Sequence, residues 1–402
     1  MDDQLALAVE TANTELLELL NKAMLYGWQK WYAKRMVQDL CDRTQKKLIS
    51  LEASDTLIIE TIEGLKRAFI RGWLTIISEL RKVAKSDELG VIGQTIKAME
   101  TNTPLEMSSK GIAINVMPGQ KTVGIANASI TNIRDFITDN GYESKGAGER
   151  YVDYVDRINN ALVEINDEIS KNTLDTRGAN GRRISVRNMA EIETRYKMIS
   201  ESLDRATADG NKFVVASAHA DASERCSWWQ GKIYIVDLDI NSRPMGQYKG
   251  SKPNQRIVGH IDGKPYYSLL EACENGFLSF NCQHRLIKYY RGVNPPHYDM
   301  VKVKMQRALT ARQRELENRI RIYKRRQKTS TNGLRVNRKN PYTGKTEKMN
   351  ELKYNQLMSK YWQERYSEFS KYNNLPEYRW RLRITEYEEW WKEQYFYWLY
   401  SQ

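Results

Sequence analysis

Histidine and cysteine are concentrated in one stretch of this 402-residue chain. All four histidines and three of the four cysteines lie between His219 and His297. Four of them occur in short motifs at 217–219, 225–232 and 280–285, and the third motif begins 48 residues after the second ends. This concentration predicts a fold that brings the motifs together into one compact site.

The first chemistry that such a site could support is metal binding. Cys226, Cys282 and His284, with His219 or His297 as the fourth donor, form a set that suits tetrahedral zinc. The competing interpretation is that both cysteines are small buried apolar residues, and that the histidines hydrogen-bond loop carbonyls.

Two further interpretations stay open. A cysteine nucleophile with a histidine base could be formed by Cys226 or Cys282 with His219 or His284, although no protease signature surrounds either cysteine. The alternative is purely structural. In that interpretation the segment forms a tight turn, made of Trp229, Gln230, Gly231 and Lys232. The indole of Trp229 packs in the interior, and Gly231 permits the bend.

Positive charge is also concentrated in one segment. The chain has a net charge of +13, and residues 301–350 contain 16 basic and 3 acidic side chains. Such a block predicts contact with a polyanion, most often nucleic acid, whereas a solvated helix face or a surface for an acidic partner is the alternative. The candidate DNA-contacting residues are Arg319, Arg321, Lys324, Arg325, Arg326 and Lys328.

Composition narrows the class of protein. A chain of this length is expected to form two or three folding units. It has no apolar run of the roughly 20 residues that cross a bilayer, and its acidic N-terminus is unlike a signal peptide. We therefore expect no membrane partner, synthesis into a cytosol and no disulfide framework.

Hydrophobic periodicity predicts mostly helices in the N-terminal half. Residues 1–85 have helical stripes, and alternating apolar residues predict a β-hairpin over 112–125. Shorter and longer helices are expected over 129–139 and 148–170, before a polar linker.

The central region mixes helices and strands. A helix capped by Ser185 is expected to run to about Ala208, with short strands at 213–216 and 233–236. Residues 240–265 have the composition of turns, and a short helix is expected over 268–275.

The C-terminal region is expected to be helical, with a basic helix over 298–328 and further helices over 350–372 and 376–399. The predicted fold is therefore mainly α, with a small central α+β domain, a helical N-terminal region and a basic, aromatic helical C-terminal arm. The expected domains are a helical region over 1–100, a hairpin and helix connector over 101–180, the central domain over 181–298 and the arm over 299–402.

Several motifs then occur in an order that resembles the phage minor capsid protein 2 family, which is related more distantly to the phage Mu F-type head morphogenesis proteins. The resemblance covers about 185–383 and includes Trp229-Gln-Gly-Lys and Asn281-Cys-Gln-His284. Members often have a histidine where this chain has Cys226. Because both residue types bind metals, the substitution is compatible with zinc.

The resemblance implies a non-enzymatic structural protein of the phage head, at or near the portal vertex. The implied partners are the portal protein, the major capsid protein or both, together with packaged DNA. Several copies per virion are expected, and zinc is the only cofactor that the residues suggest.

Two alternatives remain. One is an enzyme or toxin effector within 1–150, although this region has no histidine, phosphate-binding glycine loop or nucleophile elbow. The other is a zinc-stabilised nucleic-acid-binding protein.

Overall fold

The fold is described from a computed structural model. It describes residues 4–26, 30–84, 96, 99–100, 151–171, 173–177, 183–239, 242–244, 246, 249–279, 282–292, 294, 298–330 and 335–385. The expected hairpin over 112–125, the expected helix over 129–139, Asn281 and His297 lie outside these residues. The chain divides into two compact units, one made of residues 1–187, 316–368 and 377–402, and the other of 188–315 and 369–376.

The first unit is built mainly from helices. Its N-terminal part contains α1 (Gln4–Tyr26), α2 (Lys30–Ser50), α3 (Asp55–Ala84) and α4 (Tyr151–Lys171). A short hairpin follows, made of β1 (Asp175–Arg177) and β2 (Arg183–Ser185). The apolar stripes that predicted these helices form their buried core, which includes Leu16, Leu17, Leu65, Trp73 and Ile165.

Two long helices supply the C-terminal part of the first unit. They are α8 (Met300–Thr329), whose first half lies in the second unit, and α9 (Glu351–Tyr372). An antiparallel hairpin of β8 (Arg335–Lys339) and β9 (Thr346–Asn350) joins them. The sequence pattern missed this hairpin, because most of its described side chains are charged or polar and exposed, without an alternating apolar face.

The expected helix over 376–399 is wrong where the structure describes it. Only Arg379–Leu382 forms a helical turn, and that turn is of the 3-10 type. Arg383 then has an extended backbone, so the α-helical ladder does not continue. Residues 386–399 lie outside the described part of the chain.

The second unit packs helices with a five-stranded sheet. Its strands are β3 (Phe213–Ala216), β4 (Ile233–Ile235), β5 (Ile257–Ile261), β6 (Lys264–Ser268) and β7 (Leu286–Lys288), in the spatial order β5-β6-β4-β3-β7. Only the β4–β6 pair is parallel among these neighbours. Its helices include α5 (Val186–Thr207), α6 (Glu224–Ser227) and α7 (Leu269–Glu274). The first two residues of α5 belong to the first unit.

The turn-rich interpretation of 240–265 is wrong at its C-terminal end, where β5 and β6 form a hairpin. Asp262 and Gly263 connect the strands with φ angles of 50° and 75°. Positive φ at both central residues is the geometry of the tight hairpin turns that favour an Asp-Gly pair. A β-bulge between Ile257 and Gly259 breaks the regular alternation, which explains why periodicity alone missed the strands.

The core of the second unit contains the fully buried side chains of Trp229, Tyr234 and Phe277 together with Cys226 and Cys282. Within the described residues, no helix combines the length and the apolar character needed to cross a membrane. The mainly α fold with a smaller α+β part is confirmed.

Candidate functional site

The sheet of the second unit brings the Cys/His motifs together. Ala216 at the end of β3 pairs with Leu286 at the start of β7. Because these strands are antiparallel, His219, three residues after Ala216, and His284, two residues before Leu286, emerge at the same end of the pair. Their ring centroids are 4.7 Å apart in an edge-to-face arrangement.

The helical turn α6 places Cys226 beside this pair of loops. Ser223 is its N-cap residue, and the Ser223 side chain accepts a hydrogen bond from the Cys226 backbone N–H. The sulfur atoms of Cys226 and Cys282 are 3.8 Å apart, and Cys282 Sγ is 3.3 Å from His284 Nδ1. The three ligand atoms all lie within 4.8 Å of one another, and all three residues are buried.

These distances agree with tetrahedral coordination. Two sulfurs at about 2.3 Å from a zinc ion in tetrahedral geometry are about 3.8 Å apart. The separation of the Cys226 and Cys282 sulfurs has this value, whereas a disulfide would need about 2.05 Å. The donor set therefore fits a zinc ion without a large backbone movement.

Gln230 orients the imidazole of His284. The Gln230 Oε1 atom is 3.1 Å from His284 Nε2, and it also accepts a hydrogen bond from the His219 backbone N–H at 2.8 Å. An amide oxygen only accepts, so His284 Nε2 carries the proton in this contact. Nδ1 is then the lone-pair nitrogen that faces Cys282, as a metal ligand requires.

The two thiols share a hydrogen bond that moves their pKa values apart. The hydrogen bond from Cys282 lowers the pKa of Cys226 well below its usual range. The same contact raises the pKa of Cys282 well above its usual range. A cation bound at this position would favour the thiolate form of both cysteines.

The turn that follows α6 fixes the position of Gln230 through the contacts of its neighbours. Trp229 is fully buried, and its carbonyl accepts a hydrogen bond from the Tyr234 hydroxyl. Gly231 has a φ of 63°, a conformation that favours glycine, and its N–H donates to the Ala216 carbonyl. Lys232 lies over the Tyr267 ring at 4.5 Å, and burial, with a smaller effect of Lys252, lowers its pKa to about 8.

His219 lies beside the three clustered ligands but is not one of them in this arrangement. Its Nε2 atom is 3.0 Å from Ser217 Oγ, and burial lowers its pKa, which favours the neutral ring. A cavity of about 450 Å³ borders both this ring and the three clustered ligands, and it is also lined by Asp221, Arg307 and Arg314.

The basic segment is placed differently from the sequence prediction. Arg325 and Arg326 are buried, with 1% and 7% exposure, and they form ion pairs with Glu10 at 2.9 Å and Asp167 at 3.2 Å. Arg321 donates a hydrogen bond to the Arg381 carbonyl. Both guanidinium groups are buried against these internal partners, so neither belongs to an exposed DNA-contacting face of the kind that the sequence predicts.

The other three predicted cations are more accessible. Arg319 is half-buried over the Trp362 ring at 4.6 Å, Lys324 is half-buried, and Lys328 is exposed. The six candidate residues did not include other exposed cations of the same basic segment, in the first half of α8 and in the β8–β9 hairpin. These are Lys302, Lys304, Arg307, Arg312, Arg314, Lys339, Lys345 and Lys348.

Comparison with known protein families gives a match over part of the chain. The family model described as phage minor capsid protein 2 matches residues 179–352, a segment that includes the Cys/His cluster and the basic helix. Neither the curated proteins nor the solved structures give a match.

Proposed function

We propose that this chain, whose residues 179–352 match the phage minor capsid protein 2 family, is a structural protein of the phage virion. Its proposed position is at or near the portal vertex. Its proposed partners are the portal protein, the major capsid protein or both, and packaged double-stranded DNA. It assembles from the host cytoplasm in several copies per virion, and its role is adhesive rather than catalytic.

Exposed positive charge is the observation that carries the proposed DNA contact. On α8, Lys304, Arg307 and Arg314 are exposed, and helical spacing places them within one face. Arg307 and Arg314 border the same cavity, which supports this shared orientation. Contacts from such a face to phosphates position DNA without reading its sequence.

A triple variant tests the DNA contact. Changing Lys304, Arg307 and Arg314 to Gln should weaken duplex binding, and it should flatten the dependence of log affinity on log salt by about 0.9 for each lost phosphate contact. The measurement is fluorescence anisotropy of a labelled duplex across a salt series. The wild-type protein should bind unrelated duplex sequences almost equally.

The matched control removes three exposed cations from α2, by changing Lys34, Arg35 and Lys46 to Gln. Both triple variants change the net charge equally, so long-range attraction is reduced in both. Equal salt slopes for the two variants would contradict a DNA contact at the α8 face.

We propose in addition that a zinc ion stabilises the second unit. Cys226, Cys282 and His284 supply three donors, and Gln230 fixes the ligating nitrogen of His284. His219 supplies the fourth donor after its ring turns away from Ser217. A closed set of four protein ligands is typical of structural rather than catalytic zinc.

A cysteine nucleophile is the second candidate, because Cys282 Sγ and His284 Nδ1 are within 3.3 Å. The same atoms cannot both ligate zinc and react freely. Iodoacetamide labelling separates the two: protection that is lost on chelation supports zinc, whereas rapid labelling of Cys226 or Cys282 in the metal-loaded protein supports the nucleophile.

A further inference from the structure

A second charged cluster lies inside the first unit, separate from the Cys/His site. Glu10 of α1 accepts hydrogen bonds from Arg325 at 2.9 Å and from Arg187 at 3.3 Å. The side chains of Glu10 and Arg325 are 5% and 2% exposed. Arg321 is close enough to interact electrostatically with Glu10, Arg187 and Arg325.

Guanidinium groups outnumber carboxylates around Glu10. Arg325, Arg187 and Arg321 all act on the Glu10 carboxylate, and Glu317, which is 3.9 Å from Arg381, also attracts Arg321. Burial and the neighbouring arginines lower the pKa of Arg321 to about 10, so it stays protonated at neutral pH. An excess of buried positive charge is costly unless an anion compensates it.

The cluster also has room for such an anion. A cavity of about 290 Å³ is lined by Glu10, Arg187, Arg321 and Arg325, with Asn13 and Ser185 at its wall. The Arg325 Nε atom is buried and has no hydrogen-bond partner among the described residues. Planar guanidinium groups match the oxygens of phosphate-like anions better than a lysine ammonium does.

We propose that this cavity is a binding site for a phosphate-class oxyanion, held by Arg187, Arg321 and Arg325. Glu10 then has two roles: it holds Arg187 and Arg325 in place, and its negative charge limits the affinity of the site. The oxyanion can be a free ion or a phosphate of the nucleic acid backbone, since both present the same oxygens. This site is independent of the proposed zinc site.

Inorganic phosphate is the probe, added to the full chain in a chloride buffer of constant ionic strength. Phosphate should raise the midpoint of thermal unfolding of the wild-type protein, because a ligand that binds only the folded state stabilises it. The Arg321→Gln variant should bind phosphate about tenfold more weakly, or worse. Lys34→Gln removes an exposed cation from α2 of the same unit and should retain the wild-type response.

Changing Glu10 to Gln should have the opposite effect on phosphate affinity. This variant should be less stable without phosphate, yet it should bind phosphate more tightly than the wild-type protein, because the competing negative charge is gone. Equal phosphate responses in wild type, Arg321→Gln and Glu10→Gln would overturn the site. So would the absence of any response in both wild type and Glu10→Gln, even if Arg321→Gln fails to fold.

A duplex DNA competitor identifies the source of the oxyanion. If DNA displaces phosphate from the wild-type protein, and Arg321→Gln weakens DNA binding more than Lys34→Gln does, the site takes a backbone phosphate. If phosphate binds and DNA does not displace it, the site takes a free ion. Both results support the oxyanion site, and the triple variant on the α8 face tests the general DNA contact separately.

Discussion

At the scale of single residues, Gln230 connects the family motif to the Cys/His cluster. Its amide oxygen accepts from both the His284 ring and the His219 backbone, so one side chain joins the two loops that approach each other at the end of the β3–β7 pair. The sequence predicts only a structural turn around Gln230. Its contact with His284 depends on the fold and could not be inferred from spacing.

Zinc binding gives the first prediction at this scale. The wild-type protein should contain about one zinc per chain, and Cys282→Ser should lose most of it and unfold at a lower temperature, because one of four ligands is removed. Elemental analysis and thermal unfolding measure both effects. When cobalt replaces zinc, the protein should show the absorption band of sulfur-to-cobalt charge transfer.

Cys273 provides the matched control, because it is a fully buried cysteine of the same core and does not belong to the three-ligand group. Cys273→Ser should keep the zinc even if it lowers stability. Equal zinc content in wild type and Cys282→Ser, or zinc-free folded wild-type protein, would contradict the proposed site.

Glu10 gives a pH prediction. Burial raises its pKa, but Arg325, Arg187 and Arg321 together outweigh that effect and lower the pKa below the ordinary 4.5. A carboxyl with a lowered folded-state pKa stabilises the protein above its unfolded pKa, and this stabilisation is lost as the pH falls through the acid range. The stability measured by urea unfolding should therefore fall less steeply on acidification in Glu10→Gln than in wild type.

Glu63→Gln is the control for the acid experiment, since Glu63 is an exposed carboxylate that pairs with Lys66 across one helical turn. Its acid profile should follow the wild-type profile. If the acid profile of Glu10→Gln also follows the wild-type profile, the buried ion cluster does not account for the acid sensitivity of the protein.

At the scale of elements, the helix α8 shows why sequence charge and accessible charge differ. Arg325 and Arg326 are adjacent in a basic run, yet the fold buries both against acidic partners from other helices. The helices themselves were predictable because their apolar stripes repeat with the helical period. The partners Glu10 and Asp167 were not, because they are more than 150 residues away in sequence.

The missed hairpins have local explanations. The β8–β9 strands are largely polar and exposed, so they have no apolar alternation to detect. The β5–β6 hairpin did have a signal in its Asp262-Gly263 pair, but the bulge near Gly259 disrupted the strand pattern. For the candidate metal site, the sequence shows which residue types could bind a metal. The 3.8 Å separation of the two sulfurs depends on the sheet, which brings their loops together.

The Asp262-Gly263 turn of the β5–β6 hairpin can be tested by substitution. Gly263 has a φ of 75°, and a Cβ atom added there would lie in open space, so Gly263→Ala should destabilise the protein by about 1 kcal/mol through backbone strain alone. Gly64→Ala, within α3, should be neutral or stabilising, because its Cβ would meet only ordinary contacts. Urea unfolding of both variants measures the difference, and equal effects would contradict the turn geometry.

At the scale of the whole molecule, the two units offer different surfaces and sites. The second unit contains the Cys/His cluster and the exposed cations of the first half of α8. The first unit contains the arginine-lined cavity and the β8–β9 hairpin with exposed Lys339, Lys345 and Lys348. Both units therefore have positive charge suited to phosphate, as the proposed contact with packaged DNA requires.

The most direct test of a portal-vertex role is quantitative mass spectrometry of gradient-purified phage particles. Such a role predicts a small, fixed number of copies per particle that scales with the portal protein and stays constant when the amount of major capsid protein changes. Absence of the chain from particles, while it is abundant in the lysate, would contradict a virion role near the portal and would turn attention to an effector within residues 1–150.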